Sequence, residues 1–371
     1  MTRTLLAILA LICSWGAVSA SEITTVETIY QRPGGSSYKH DEMLKVHFID
    51  VGGADAILID TSSDKKILID GGYSWSSRGN TAKEYHTYLN QYLGDDIVDL
   101  IVISHPDYDH FAGLAKVLED YVVRQVWSTG YDSQELSGSW RKLVRQLAED
   151  PDTLFVSPLG SFFELGSVIR VDDAGTYDKA DDTVLTIVNT QERLPKNAYG
   201  NQERSLNESQ RRNSASIVLR LDYGENSILF TGDTNGREKG SADAAHDDQE
   251  KFMVDNNNNP NNVLHLSLDV DILKVAHHGS DGSSSLEFLK AVSPVWAVIT
   301  AGFPHGHPHD GPIRRLKHPD VGLTDDKILR TDAGDDATGN KANEKNLGDD
   351  TIVFALDPEG IVSIKKMNIK L

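Results

Sequence analysis

The stretch LIVISHPDYDHFAGL, residues 100–114, places four potential metal ligands between a predicted strand and a predicted helix. Residues 100–103 form a β-branched-rich apolar run, which is typical of a buried strand. From residue 111 onward, apolar side chains recur at positions i, i+3, i+4 and i+7, which predicts an amphipathic helix. The loop between them can turn imidazoles and carboxylates towards one point, and it carries His105, Asp107, Asp109 and His110.

The types of ligand in this loop restrict the metal. Imidazole nitrogens and carboxylate oxygens suit zinc, manganese or iron, with zinc favoured. A single His-X-Asp would more often be a surface pair, and Asp109 alone could cap the helix that follows. The complete H-x-D-x-D-H pattern at a strand–helix junction favours a metal site instead.

The first 20 residues have the three parts of a secretory signal peptide. Arg3 supplies positive charge, residues 5–12 are apolar, and residues 17–20 (AVSA) resemble a cleavage site. The apolar run is too short to span a bilayer comfortably. We therefore expect cleavage after Ala20 and a secreted or periplasmic protein. Its mature chain would have no thiolate ligand, because the only cysteine is Cys13.

The charge of the chain narrows the choice of partners. The formal net charge is −20, so the protein repels polyanions, and we expect no stable binding of duplex nucleic acid. A small molecule or a short single-stranded phosphodiester is still accessible, because bound metal ions are the largest local charges in a site. The sequence predicts no membrane-spanning channel.

Strands and helices alternate along the chain, which predicts one α/β domain over residues 21–371 with a core at about 44–366. Three polar segments, near residues 191–212, 235–262 and 333–350, are expected to be surface insertions, the second of them a mobile loop. Among the elements that we predict are strands at 44–49, 56–59, 66–69, 97–103, 124–127, 216–221, 227–230, 272–276 and 295–300, and helices at 111–120, 134–149 and 284–292.

Further polar residues recur where predicted strands end. Asp233 follows one strand, the pair His277-His278 follows another, and His307 comes after a third. Ends of packed strands that run in similar directions lie along one edge, so we expect these side chains to converge with the 105–110 loop. Together they exceed the needs of one four-coordinate ion, which favours two metals with Asp233 as a bridging carboxylate.

For other polar residues near strand ends, the sequence does not distinguish a role in the site from a structural role. Asp50 and Asp70 also follow strands, but either side chain can equally serve to hold a loop. His305 and His309 are expected to be structural or to face solvent.

The ordered motifs HPDYDH, LFTGDT and LKVAHHGS, preceded by DVGGADAILID and ILIDGG, resemble those of the metallo-β-lactamase fold. Within that fold the set is similar to the metallohydrolase domain of the ComEC competence protein and its secreted relatives. The resemblance implies an αββα sandwich of two mixed β-sheets with helices on the outer faces. It also implies metal at the loop 105–110, with Asp233 bridging and one of His277 and His278 as a further ligand.

The chain departs from the usual pattern of this fold at two places. The fold often has histidine where this chain has Asp107, and it usually has a ligand histidine upstream of Asp233. No such histidine is evident here, and Asn213 is the residue that we expect near that position.

The resemblance and the ligand types imply roles for the site residues. We expect a metal-activated water, with Asp109 orienting it and accepting its proton, and His307 either donating hydrogen bonds to a developing oxyanion or protonating the leaving group. The favoured activity is exported phosphodiester hydrolysis. The alternatives are a lactonase or β-lactamase acting on small cyclic acyl substrates, an oxidoreductase at iron, and a metal-binding module without turnover.

Overall fold

The computed structural model describes residues 23–73, 80–93, 97–171, 182–190, 207–236, 249–257, 267–302, 306–332 and 350–369. In chain order its strands are β1 (Ile23–Gln31), β2 (Leu44–Phe48), β3 (Ile57–Asp60), β4 (Lys66–Ile69), β5 (Leu100–Ile103), β6 (Gln125–Ser128), β7 (Leu154–Val156), β8 (Val168–Arg170), β9 (Val184–Asn189), β10 (Val218–Tyr223), β11 (Asn226–Phe230), β12 (Ile272–Lys274), β13 (Trp296–Ile299), β14 (Ile328–Arg330), β15 (Thr351–Asp357) and β16 (Gly360–Ile369). The α-helices are α1 (Asn80–Leu93), α2 (Tyr108–Phe111), α3 (Leu114–Asp120), α4 (Gly138–Glu149), α5 (Glu208–Ser214), α6 (Gln249–Asn257), α7 (Leu286–Val292) and α8 (Asp310–Leu316).

The strands form two mixed sheets. One has the order β1-β16-β15-β2-β3-β4-β5-β6-β7, and the other has the order β14-β13-β12-β11-β10-β9-β8. Each sheet contains a parallel set, β4 to β7 in the first and β11 to β14 in the second. The residues that follow these parallel strands therefore come out at one edge of each sheet, where ligand-bearing loops are commonly found.

The fold has four layers, with helices outside each of two stacked sheets, because many strands are apolar on both faces. In β5, Leu100 and Val102 face the core between the two sheets, whereas Ile101 and Ile103 face helices on the outside. Helices α1, α3 and α4 cover the outer face of the first sheet, and α6, α7 and α8 cover that of the second. This arrangement confirms the αββα sandwich that the resemblance implies, and an uninterrupted apolar run is what a strand covered on both faces requires.

Several predicted elements differ from the structure. The helix predicted at 111–120 is two helices, α2 and α3, and the sequence reading missed β1. The segment 191–212 ends in α5, while residues 191–206 lie outside the described part. The predicted signal peptide, residues 1–20, and residues 333–349 of the third predicted insertion also lie outside it. Among the described residues, no helix combines the length and the apolar character needed to cross a membrane.

The prediction of a mobile loop at 235–262 is wrong for its middle, which forms α6. Glu250 of this helix is fully buried, and its carboxylate accepts hydrogen bonds from the backbone N–H groups of Ser284 and Ser285, the latter at 2.7 Å. These N–H groups lie at the start of α7, where helix donors need a partner and negative charge is favourable. The sequence gives no sign of this role, because a glutamate in a polar segment is expected to be exposed.

The break between α2 and α3 holds the ligand loop against the end of β4. The backbone N–H of Gly113 donates to the carbonyl of Gly72 at 3.0 Å, and that of Gly71 donates to the carbonyl of His110 at 2.7 Å. A Cβ atom on Gly113 would lie 1.9 Å from the carbonyl oxygen of Gly71. Residue 113, between α2 and α3, therefore has to be glycine for steric reasons.

We expect Gly113→Ala to lower the free energy of unfolding by about 1–3 kcal/mol or more, since the added methyl group forces the backbones apart. Gly138→Ala is the matched control, because a Cβ at Gly138 meets no atom within 4 Å and alanine favours the start of α4. Urea unfolding of the two variants checks the prediction. Equal midpoints would show that the contact is not tight.

Candidate metal centre

Three histidines direct their Nε2 atoms into one buried space at the edge where the parallel strands end. His105 follows β5, His110 lies in α2, and His278 follows β12. The ring centroids of His105 and His110 are 4.0 Å apart, and those of His110 and His278 are 5.3 Å apart. All three side chains are buried, and none of the three Nε2 atoms has a hydrogen-bond partner among the described residues. Such atoms cost free energy unless something binds them.

The other ring nitrogen of each histidine is held by a neighbour. The Nδ1 atom lies 3.0 Å from the Ser104 hydroxyl in His105, 2.8 Å from the Asp70 carboxylate in His110, and 2.8 Å from the Thr300 carbonyl oxygen in His278. A carboxylate and a carbonyl only accept hydrogen bonds, so Nδ1 of His110 and of His278 donates. In the neutral rings Nε2 then carries the lone pair, which is the usual arrangement of a metal-ligating histidine.

Asp233, which follows β11, lies between these rings. Its Oδ1 atom has no hydrogen-bond partner among the described residues and is 3.4 Å from Nε2 of His110. Its Oδ2 atom is 3.6 Å from Nε2 of both His277 and His278. Oδ2 is also 3.9 Å from Nε2 of His105, so the carboxylate lies between His105 and His110, which is the placement expected of a carboxylate that bridges two ions.

The described residues contain four overlapping His/Asp clusters that could hold a metal ion, each with ligand atoms within 4.8 Å of one another. They are His105–His110–Asp233, Asp109–His110–His278, Asp55–Asp233–His278 and Asp55–Asp70–His110. His110 belongs to three of the four, so it lies at the centre of the arrangement.

The charges in the cluster depend on one another. Burial opposes protonation of His278, but the negative charges of Asp233 and Asp55 outweigh it and raise the pKa of His278 to about 10. Burial likewise opposes ionisation of Asp233, yet the charges of His278 and His110 hold its pKa well below the usual range. A cation entering this space would have to displace the protons of the imidazoles, so metal binding and proton release are coupled.

The two adjacent histidines of the HHG motif have different environments. Both have positive φ, 50° for His277 and 53° for His278, in a tight turn that aims the rings apart. The His278 ring is buried, whereas 24% of the His277 side chain is exposed, and its ring nitrogens lie 3.4 Å from the side-chain amide group of Asn213. The nitrogen of that amide donates to Oδ2 of Asp107 at 2.9 Å. Asn213 therefore lies near the site, where the sequence placed it.

Asp107 occupies a different place from the other residues of its motif. Its Oδ1 atom accepts a hydrogen bond from Nε of Arg212, and its Oδ2 atom is 3.6 Å from Nε2 of His105. It belongs to none of the four clusters, although one oxygen faces them. The sequence reading missed Arg212, because the residue lies at the end of a segment that we interpreted as an excursion from the core.

His307 packs against the site. Its ring is stacked on that of His278, with centroids 6.0 Å apart and planes 16° apart. Burial, followed by the charges of His278 and His277, lowers the pKa of His307 to about 3. At neutral pH its ring is therefore neutral and offers an N–H group rather than a charge.

The remaining predicted residues have structural contacts. Asp50 accepts a hydrogen bond from the backbone N–H of Gly52 at 3.1 Å and so closes its own loop. Asp70 has a direct link to the site through His110. His309 accepts a hydrogen bond from the backbone N–H of Asp281 at 3.0 Å, in agreement with the structural role that we expected. His305 lies outside the described residues.

A family model described as the metallo-beta-lactamase superfamily matches residues 49–302. The chain belongs to the metallo-β-lactamase superfamily. It is 24% identical over 302 residues to ComE operon protein 3 of Bacillus subtilis, covering 78% of this chain and 32% of that protein. It is 25% identical over 280 residues to Recombination protein 2 of Haemophilus influenzae, covering 73% of this chain and 26% of that protein. The chain thus spans about a third or less of the length of these relatives.

Among solved structures, the metallo-beta-lactamase fold protein YhfI from Bacillus subtilis is similar, with a TM-score of 0.41 and 12% identity. The match covers 74% of this chain and 92% of that protein.

This superfamily member also has a buried ion pair beneath the cluster that the sequence reading missed. Lys274 of β12 and Asp55, just before β3, are each 1% exposed and form an ion pair. Lys274 also donates to the carbonyl of Gly232 at 3.1 Å, and the Asp55 carboxylate lies 3.3 Å from Nδ1 of His278. The signal in the sequence is a lysine within an apolar strand, since a buried charge requires a partner.

We expect Lys274→Met to lower the free energy of unfolding by about 3–5 kcal/mol, because it leaves the buried Asp55 carboxylate without its main partner. The double variant Lys274→Met/Asp55→Asn should recover much of the loss, since the charge that lacked a partner is then gone. Urea unfolding of the wild type, Lys274→Met, Asp55→Asn and the double variant measures this. A double variant as unstable as the sum of two independent losses would contradict the coupling of the pair.

Proposed function

We propose that this protein is an exported, metal-dependent hydrolase that cleaves phosphodiester bonds. The observation that carries the metal site is the set of buried ligand atoms without partners, namely Nε2 of His105, His110 and His278 and Oδ1 of Asp233. Nitrogen and oxygen ligands of this kind suit zinc first, and also manganese or iron. Export rests on the composition of residues 1–20.

The clusters suggest how two divalent ions would be shared. We assign one ion to Asp109, His110 and His278, whose ligand atoms lie close together, and the other to His105 and the near oxygen of Asp107. Asp233 would bridge them. His277 is left out of this set, because it is partly exposed and belongs to none of the clusters.

The chemistry follows from this arrangement. Divalent ions at such a site supply Lewis acidity towards a substrate oxygen and lower the pKa of a water molecule. Burial opposes ionisation of Asp109, but the charges of His110 and His278 outweigh it and lower its pKa, so the carboxylate is ionised at neutral pH. Asp109 can therefore orient the attacking water and accept its proton. The N–H group of neutral His307 can stabilise charge on the reacting oxygens.

Two observations support a phosphodiester as substrate. The similarity extends over most of this chain to a protein named for recombination, a process of nucleic acids. The cationic side chain of Arg212 is fixed beside the cluster in a protein whose formal net charge is −20. The overall charge repels long polyanions, so the substrate should be a small or short single-stranded phosphodiester rather than a long duplex.

The metal-loaded protein should hydrolyse bis(4-nitrophenyl) phosphate, and Asp109→Asn should lower kcat by about a hundredfold or more, since it removes the proton acceptor. Metal content has to be measured on the same samples, so that loss of metal is not taken for loss of the base. If metal-loaded wild type leaves all phosphodiesters intact but opens a lactone or a β-lactam ring, the proposed substrate class is wrong.

The two adjacent histidines give a second test. His278→Ala should lose a large part of the bound zinc or manganese, whereas His277→Ala should retain it, because only the His278 ring is buried among the ligand atoms. Elemental analysis after loading and dialysis measures the difference. Equal metal contents in the two variants would contradict the assignment.

A further inference from the structure

The carboxylate of Asp107 lies between Arg212 and the His/Asp cluster. The Nε atom of Arg212 donates a hydrogen bond to Oδ1 of Asp107, and Oδ2 of Asp107 lies 3.6 Å from Nε2 of His105. The guanidinium is thus fixed next to a candidate ligand histidine by a charge-assisted hydrogen bond, which is among the stronger contacts that a side chain makes.

The helix that carries Arg212 is attached to the site. Helix α5 begins with a capping box between Asn207 and Gln210. Asn235, two residues after Asp233, donates from its side-chain amide to the carbonyl of Gln210 at 3.2 Å and to the Ser214 hydroxyl at 3.3 Å. The segment that carries Asp233 therefore also holds α5. Arg212 is thus positioned both by its helix and by the hydrogen bond of its side chain to Asp107.

Most of the hydrogen-bond donors of Arg212 remain available. A guanidinium has N–H groups on three nitrogens, and Asp107 uses only Nε. Glu208 lies 4.0 Å from Nη1, too far for a hydrogen bond, and its carboxylate accepts one from Tyr131 Oη at 3.2 Å. Within the described residues the Nη groups make no hydrogen bond, and 22% of the Arg212 side chain is exposed. Its outer face is therefore open to a ligand.

A guanidinium of this kind fits oxyanions. Its planar fork of N–H donors matches two oxygens of a phosphate or a carboxylate, whereas an ammonium group acts only as a point charge. In a chain with a formal net charge of −20, an anionic substrate needs such a local cation to approach a pocket lined by carboxylates.

We propose that Arg212 is the specificity-determining residue for anionic substrates, binding the non-bridging oxygens of a monoanionic phosphodiester at the metal centre, and that Asp107 is its positioning residue. The assignment of the phosphodiester rests on the proposed function. Anion binding by Arg212 does not, because it follows from the open donors.

Arg212→Gln is the test, and Arg211→Gln is its matched control. Arg211 is the preceding residue of the same helix, has 48% of its side chain exposed, and forms an ion pair with Glu208 at 3.8 Å. The two variants therefore lose the same charge from nearly the same place. Arg212→Lys keeps the charge without the planar fork and should restore binding only in part.

Isothermal titration calorimetry of the metal-loaded protein with inorganic phosphate measures the affinity for phosphate in the absence of turnover. Arg212→Gln should weaken phosphate binding by about tenfold to a hundredfold, the range expected for lost charge-assisted hydrogen bonds, while Arg211→Gln stays within about twofold. For bis(4-nitrophenyl) phosphate, Arg212→Gln should raise KM more than it lowers kcat. Hydrolysis of the neutral triester diethyl 4-nitrophenyl phosphate should respond much less, because it carries no negative charge for Arg212 to bind.

Two results would overturn the proposal. One is phosphate binding that falls equally, or not at all, in Arg212→Gln and Arg211→Gln with metal content retained. The other is loss of metal in both Arg212→Gln and Arg212→Lys, which would make Arg212 a structural support of the centre. Phosphate binding that depends on Arg212 in a protein that cleaves no phosphodiester would instead uphold anion recognition and refute the proposed function.

Discussion

The ion pair between Asp55 and Lys274 joins the two sheets directly beneath the candidate metal centre, and the site depends on it. Asp55 precedes β3 of the first sheet, and Lys274 ends β12 of the second. Asp55 also accepts a hydrogen bond from Thr300, and its backbone N–H donates to the carbonyl of Asp109 at 3.3 Å. Asp55 thus connects both sheets through its carboxylate and the ligand loop through its backbone N–H, and this sets how far apart the ligand-bearing segments lie.

Orientation of the ligands is set before any ion binds. Each of the three central histidines is held through Nδ1 by a group that belongs to a strand end, so the Nε2 atoms have little freedom to turn away. Supporting contacts of this kind determine how well a site is preorganised. They also explain why Asp70, which follows β4 and holds the His110 ring through Nδ1, matters to the chemistry.

Much of the fold could be predicted from the sequence, because apolar strands covered on both faces and a ligand loop at a strand end leave a direct pattern. The motif residues His105, Asp109, His110, Asp233 and His278 come together as expected. The ion pairs that were missed are tertiary contacts between residues far apart in the sequence. Arg212 and Asp107 are 105 positions apart, and neither Lys274 nor Asp55 stands in a motif that names its partner. Helix α6 was missed because its stabilising contact is a buried carboxylate rather than an apolar stripe.

That carboxylate has a consequence for shortening the chain. Glu250 accepts from the backbone N–H groups of Ser284 and Ser285, which lead into α7, a helix that packs on the sheet containing the Lys274 strand. Deleting the whole segment from 235 to 262 as a dispensable loop would therefore leave these donors buried and the outer layer incomplete. A shortened version of the protein has to keep α6, even though this helix contributes no atom to the site.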